Sequence, residues 1–212
     1  MTADTPAAPY DRRAAVYDHL VRSRIYNRLA WAASPDDYAR VASAAFASSA
    51  GPLLEVAAGS AAATAELHAH SQRQTVLVDQ SDAMLQRAAR RIAAASPGPH
   101  IPARVHFVRA DIMALPPLPA QQFTTIVGLG LTHLASDLAG LARVLRERLA
   151  PGGQLYLAGL VTGTRRGAWY LKTLHRAGEV CEPRTAGQMR AALGHPAKFY
   201  TTGCMAYATL GA

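Results

Sequence analysis

The chain has 212 residues, half of them apolar, and a formal net charge of +8; that length accommodates one substantial core and predicts a single domain rather than two joined by a linker. No apolar run reaches the roughly 20 residues of a membrane span, because Phe123 to Ala135 is interrupted by Thr124, Thr125, Thr132 and His133. The positive charge is almost all arginine and is spread along the chain, with Arg87/Arg90/Arg91 and Arg143/Arg146/Arg148 at the helical spacing of solvated faces, so a nucleic-acid partner is not expected.

The N-terminal stretch MTADTPAAPYDRR has no basic segment followed by an apolar one and predicts no signal peptide. Cys181 and Cys204 have neither CxxC spacing nor a disulfide framework, which suits reduced thiols and a cytoplasmic protein.

In chain order, residues 1–9 predict a flexible tail and residues 10–212 the domain. Val16, Leu20, Ile25 and Leu29 give a helical period, with Tyr17, Tyr26 and Trp31 adding aromatic weight. Ser34-Pro35-Asp36-Asp37 starts a second helix, with a cap residue, a proline at the first position and two acids in the positive first turn; Gly51-Pro52 ends it. Residues 10–50 then either cover a sheet edge or form a lid that presents Tyr17, Tyr26 or Trp31 to a substrate.

Residues 51–161 read as alternating strands and helices, which predicts a doubly wound, mostly parallel sheet. Leu53, Leu54 and Val56 make a strand, Ala57-Ala58-Gly59-Ser60-Ala61 a small-residue turn, Ser60 to about His70 a helix, and Val76 to Asp79 a second strand. A close turn at a helix start with an acid about 20 residues on is the layout of a nucleoside-binding site, although GxGxxG itself is absent. His68 and His70, two apart, fall on different helix faces; they predict no metal pair and suit the negative helix end. Ser81 or Asp82 caps the next helix, and Val105 to Val108 makes a third strand closing on Asp111. Phe123 to Leu129 makes a fourth strand, Leu138 to Leu149 a helix, Pro151-Gly152-Gly153 a turn, and Gln154 to Val161 a fifth strand. Residues 162–212 predict a helix over Arg165 to Glu179 with a stripe of Trp169, Leu171, Leu174 and His175, a helix capped by Thr185, and an antiparallel hairpin around Thr202-Gly203.

The segments LLEVAAGSAAAT, VLVDQSDAMLQRAARR, FVRADIMALP, FTTIVGLGLTHL and LRERLAPGGQLYL, in that order and spacing, resemble the class I S-adenosylmethionine-dependent methyltransferases of the small-molecule type. The resemblance implies a seven-stranded Rossmann-like sheet with extra N-terminal helices, a cofactor-binding core over 51–161, and a substrate roof and terminal hairpin over 162–212. It implies S-adenosylmethionine as cofactor, S-adenosylhomocysteine as product and a small-molecule acceptor. Glu55, Ala57 and Gly59 would line the turn around the methionine part, Asp79 would hold the ribose hydroxyls, and Gln80 and Met84 would lie beside the adenosine. Asp111 would accept from the adenine amino group, Ile112 would pack on the ring, and Gly128 and Leu129 would bracket the sulfonium. Other readings of the two acids are a helix N-cap for Asp79 and a turn cap for Asp111.

Methyl transfer from a sulfonium asks mainly for proximity, with a base only where the nucleophile must lose a proton. His133, just past strand four, is the candidate base or else a structural histidine; Tyr26 and Tyr17 are candidates for orienting substrate. No cluster of acids or histidines predicts a catalytic metal. Two departures from the family pattern stand out. Thr124 replaces a usual aspartate at a place away from the cofactor, and Ala61 replaces a glycine where backbone meets ligand. Ala61 favours an alternative reading, a methyltransferase-like protein that has lost methyl transfer; Asp79 and Asp111 favour the enzyme.

Overall fold

The computed structural model describes residues 35–212 apart from Pro99 and His195. The expected tail, the helix around Leu20, and Tyr17, Tyr26 and Trp31 lie outside the described residues. In chain order the elements are α1 (Pro35–Ala47), β1 (Leu53–Val56), α2 (Ala65–His70), β2 (Thr75–Asp79), α3 (Asp82–Ala95), β3 (Val105–Arg109), a 3-10 turn (Ile112–Ala114), β4 (Phe123–Gly128), α4 (Leu138–Arg146), β5 (Leu149–Leu160), α5 (Arg165–Arg176), α6 (Ala186–Ala192), β6 (Lys198–Thr202) and β7 (Met205–Gly211).

The strands form one seven-stranded sheet in the order β3-β2-β1-β4-β5-β7-β6. The first five are parallel, β7 runs antiparallel to β5, and β6 closes the edge as a hairpin with β7. This is the doubly wound sheet and terminal hairpin that the sequence predicts. β1 is buried at every residue because helices cover both of its faces. Leu54, Val56, Val76, Val78, Ile126, Leu155 and Leu157 face α4 and α6, which contribute Leu138, Leu141, Leu145, Met189 and Leu193. On the other face Leu53, Val127, Tyr156 and Ala158 receive Val41, Ala45 and Phe46 of α1 and Leu171 of α5, while Leu77 receives α2 and α3.

Helix starts follow the sequence closely. Ser81, rather than Asp79 or Asp82, caps α3, its side chain accepting from Met84 N–H. Thr185 and Gln188 complete a reciprocal capping box on α6. Three expectations change. The helix after β1 begins at Ala65 rather than Ser60, because left-handed residues at 57, 59 and 61 hold the chain in a turn. Pro151-Gly152-Gly153 lies inside β5 as a bulge, with the register to β4 shifting between Phe123 and Thr125 and with Leu149 already in the strand. On α5 Leu171 is buried and Leu174 partly so, but Trp169 is 69% exposed, since a two-residue step carries it to another face.

Below the amino ends of the strands, the buried guanidinium of Arg73 gathers the end of α1. Its Nε donates to Gly51 O (2.6 Å), Nη1 to Phe46 O (3.0 Å) and Ala45 O (3.2 Å), and Nη2 to the hydroxyls of Thr125 (2.7 Å) and Thr124 (3.2 Å). It thus satisfies carbonyls that the helix end leaves open. Burial pulls its pKa below the usual arginine value. Thr124 accordingly works here, at the end of the sheet opposite Asp79, and its hydroxyl also donates to Pro52 O. Arg73→Leu should destabilise the fold by about 3 kcal/mol, because several buried acceptors lose a charged donor together; urea titration monitored by circular dichroism measures it, and a loss below about 1 kcal/mol would contradict the clamp.

Candidate cofactor and substrate site

The strand order reverses between β1 and β4, and ligands of open α/β sheets bind at the carboxyl edge beside such a reversal. Three segments meet there: the turn 57–61 after β1, the end of β2 at Asp79 with the start of α3, and the loop 128–133 after β4.

The turn after β1 is held from several sides. Ala58 N–H donates to Val78 O (3.1 Å) and Gly59 N–H to Asp79 Oδ2 (2.8 Å), while Asp79 Oδ1 accepts from Ser81 N–H (2.9 Å). Arg91 of α3 reaches back to the carbonyl of Ser60 (2.9 Å) and to its hydroxyl. Gly59 has φ +53°, and the space where a Cβ would stand is open, which leaves room for a ligand against the backbone. Ala57 and Ala61 adopt the same left-handed region, at φ 48° and 51°. The Ala61 methyl does not point at a ligand: the residue is 2% exposed and packs with Ala58, Ala65, Leu85 and Ala88.

Glu55, expected to line the turn, is buried. Its carboxylate is buried between Thr64, whose hydroxyl donates to Oε1 (3.0 Å), and His68, whose Nε2 lies 2.5 Å from Oε2. His68 is therefore no helix-end charge but a fully buried partner, while His70 is exposed and bonds Glu66 O (2.9 Å). Thr64 and His68 carried no sequence signal for this contact, because it depends on where the turn delivers α2.

Of the remaining expected residues, Gln80 is exposed and its carbonyl accepts from Arg109 Nε (3.2 Å). Met84 is 4% exposed in the first turn of α3. Asp111 is exposed, and its Oδ1 accepts from Met113 N–H (2.9 Å), capping the 3-10 turn; Ile112 beside it is buried. A Cβ at Gly128 would meet Leu131 and Leu157 side chains within 3.0 Å, so packing between strands suffices to require glycine there. Leu129 packs partly on the α1 side of the core. Gly130 has φ +73°, with the Tyr38 hydroxyl 3.3 Å from where its Cβ would be. Residues Asp79, Gly59 and the 128–133 loop thus share one edge, and the open backbone, the carboxylate and the flanking apolar residues fit a nucleoside.

His133 lies at this edge between β4 and α4. Its Nδ1 accepts from Leu160 N–H (3.2 Å) and its carbonyl accepts from Cys181 N–H (3.0 Å). The Nδ1 bond assigns the ring proton to Nε2, so the neutral ring offers a donor there and not a basic lone pair. Arg184, not expected from the sequence, ties the same loop down by donating to Thr132 O (3.3 Å) and Ser136 O (2.6 Å). Among the described residues no group of three or more His, Cys, Asp or Glu could hold a metal ion, and no helix is long and apolar enough to cross a membrane.

Burial lowers the His133 pKa to about 4 from the usual 6.5. The unfolded chain takes up this proton as pH falls through 6.5, whereas the folded chain resists until about 4. Stability from this group is complete above 6.5 and declines between 6.5 and 4, by about 3 kcal/mol at most. The difference in urea midpoint between the native chain and His133→Gln should therefore change with pH across that window and be flat above it. A second expectation concerns the turn. In Ala61→Gly, relief of left-handed strain (about 1–2 kcal/mol) is offset by the lost methyl burial (about 0.8 kcal/mol) and by glycine's chain entropy (about 0.5–1 kcal/mol), so its unfolding free energy should match the parent within about 0.5 kcal/mol.

Residues 53–153 match the model of a family described as a methyltransferase domain. A search of curated proteins finds no match. Among solved structures, the chain is similar to geranyl diphosphate C-methyltransferase from Streptomyces coelicolor A3(2), crystallised with Mg2+, geranyl diphosphate and S-adenosylhomocysteine, at 12% identity and TM-score 0.65, covering 98% of each chain. It is similar to N-methyltransferase NodS from Bradyrhizobium japonicum WM9 in complex with S-adenosylhomocysteine, at 14% identity and TM-score 0.63, covering 93% of this chain and 97% of that one. It also resembles the [4+2]-cyclase SpnF, at 18% identity and TM-score 0.61, covering 93% of this chain and 77% of that one. Residues 53–153 thus match a methyltransferase domain, and the chain shares the fold of these methyltransferase structures.

Proposed function

We propose that the protein binds S-adenosylmethionine at the carboxyl edge of β1, β2 and β4 and transfers its methyl group to a small-molecule acceptor. The observation that carries this reading is the Asp79 carboxylate, held by Gly59 N–H and Ser81 N–H beside an open stretch of turn backbone. A carboxylate fixed there can accept from both ribose hydroxyls through its remaining lone pairs. Asp111, with Oδ1 occupied by Met113 N–H, presents its carboxylate to an adenine amino group, and Ile112 and Met84 supply apolar surface on either side. Glu55 is not among the contacts, because it is buried, unlike Asp79, with Thr64 and His68 against its two oxygens.

The bound sulfonium would supply an electrophilic methyl and a neutral leaving group, so the chain's own task is to hold the acceptor in line and exclude water. His133 in its Nε2–H tautomer serves this as a donor that orients an acceptor oxygen or nitrogen. Use of the ring as a base requires moving the proton to Nδ1 against Leu160 N–H. Tyr17 and Tyr26 remain candidate orienting groups from the N-terminal segment, and Tyr38 joins them because its hydroxyl stands beside Gly130. Residues 10–50 and 162–212 are assigned to the acceptor side of the site, within one domain.

The second reading is a methyltransferase-like protein that has lost methyl transfer and binds cofactor weakly, serves as a partner or catalyses a rearrangement in the same pocket; its sequence support is Ala61. With that methyl in the core, its support is reduced to the likeness to a [4+2]-cyclase.

Titration calorimetry with S-adenosylmethionine and S-adenosylhomocysteine tests the proposal. Both should bind, and Asp79→Ala should weaken binding by roughly 2–3 kcal/mol, about 30- to 100-fold, from the loss of charged hydrogen bonds. Arg146→Ala, on the far end of α4, should leave binding unchanged. No heat at millimolar ligand, or equal effects of the two substitutions, would refute it.

A further inference from the structure

We propose that His68 is a positioning residue: together with Thr64 it fixes the Glu55 carboxylate, and this strap holds Ala57 and Ala61 in the left-handed backbone on which the ligand turn depends. The effect on ligand affinity rests on the function proposed above; the effect on the turn does not.

Glu55 is 3% exposed and His68 fully buried, so their contact is made without water. Both carboxylate oxygens are engaged, Oε1 by the Thr64 hydroxyl at 3.0 Å and Oε2 by His68 Nε2 at 2.5 Å. The Phe46 ring of α1 meets the imidazole edge-on, with centroids 4.9 Å apart. The other ring nitrogen, Nδ1, is buried with no partner. That orphan costs stability, and leaving it so is what a ring does when its orientation is dictated from the Nε2 side.

The two bonds join β1 to residues on the far side of the turn and so close a loop around residues 57–61. Alanine left to itself avoids φ near +50°, and such residues persist only where their surroundings over-determine them. Asp79, Val78 and Arg91 restrain the middle of the turn at Ala58, Gly59 and Ser60. Its downstream end has different restraints. Ala61 O accepts from Thr64 N–H (3.1 Å) and Ala65 N–H (2.9 Å), so any movement of Thr64 and α2 is transmitted to Ala61. The Glu55 strap is the polar tie of Thr64 and His68 to β1, beside the apolar packing of Ala65 and Ala69 with Leu77. A chain with glycine at 57 and 61 would need it less.

The experiment compares His68→Leu, His68→Gln, Thr64→Val and the triple variant His68→Leu/Ala57→Gly/Ala61→Gly, each checked for folding by circular dichroism. In the ligand-free protein, amide hydrogen exchange at Ala61, Thr64 and Ala65 should speed up roughly tenfold in His68→Leu and less in Thr64→Val, with β4 and β5 amides unchanged. S-adenosylhomocysteine affinity should fall roughly tenfold in His68→Leu, stay within about threefold in His68→Gln, which keeps a donor, and recover most of the loss in the triple variant. Exchange that accelerates evenly through β4 and β5, turn amides that do not change, or glycines that fail to restore affinity would overturn the proposal. If the parent protein binds no S-adenosylhomocysteine, the proposed function fails, and the exchange pattern in the turn alone decides whether the strap exists.

Discussion

Asp79 ties together two separate pieces of backbone. One oxygen takes Gly59 N–H from the turn after β1, and the other takes Ser81 N–H, from the residue whose hydroxyl caps α3. A charged acceptor makes each bond shorter and stronger than a neutral one would. The end of β2 therefore sets both the height of the turn and the start of α3. Arg91 closes the circuit from α3 to Ser60. Because this bracket is made of backbone N–H groups and one carboxylate, it depends little on which small residues fill the turn.

That independence explains how two alanines are accommodated where glycine would be the unstrained choice. The cost of a left-handed alanine is on the order of 1–2 kcal/mol, and burying its methyl returns about 0.8 kcal/mol while avoiding glycine's entropy of about 0.5–1 kcal/mol. At Ala61 the methyl lies in the cluster with Leu85 and Ala88, so the return is collected in full. The substitution that suggests a damaged ligand site in the sequence is, in three dimensions, a core residue. What it demands is restraint on the backbone, supplied by contacts to β2, α3 and Glu55.

The sheet was legible because its order is written in local chemistry. Apolar runs bounded by small-residue turns and caps at Ser81 and Thr185 mark each element, and the interior strands lack alternation because both faces are covered. Pro151-Gly152-Gly153 misled for the same reason: proline and two glycines read as a turn, yet β5 absorbs them as a bulge against β4. The acids at the carboxyl edge were legible from spacing. The buried partners were not. His68 sits among helix residues whose period says nothing of Glu55, and Arg73 stands in a short polar loop, although a lone arginine just before a fully buried strand is a signal worth weighing. Long-range polar contacts of this kind are fixed by topology and leave no periodic trace.

His133 shows how one backbone donor can decide the chemistry of a site. Leu160 lies at the end of β5, and its N–H points at Nδ1 because the β4–α4 loop is drawn over the strand end by Arg184 and by the Cys181 contact. Burial keeps the ring neutral down to about pH 4, and the Nδ1 bond keeps its proton on Nε2. In the proposed reaction, a ring so placed would hold an acceptor atom without taking its proton. For displacement at a sulfonium this is sufficient, since the leaving group departs neutral and no acid is required of the protein. On the proposed function, the acceptors that suit such a site are those whose nucleophilic atom is already deprotonated, or loses its proton to water after the methyl has moved.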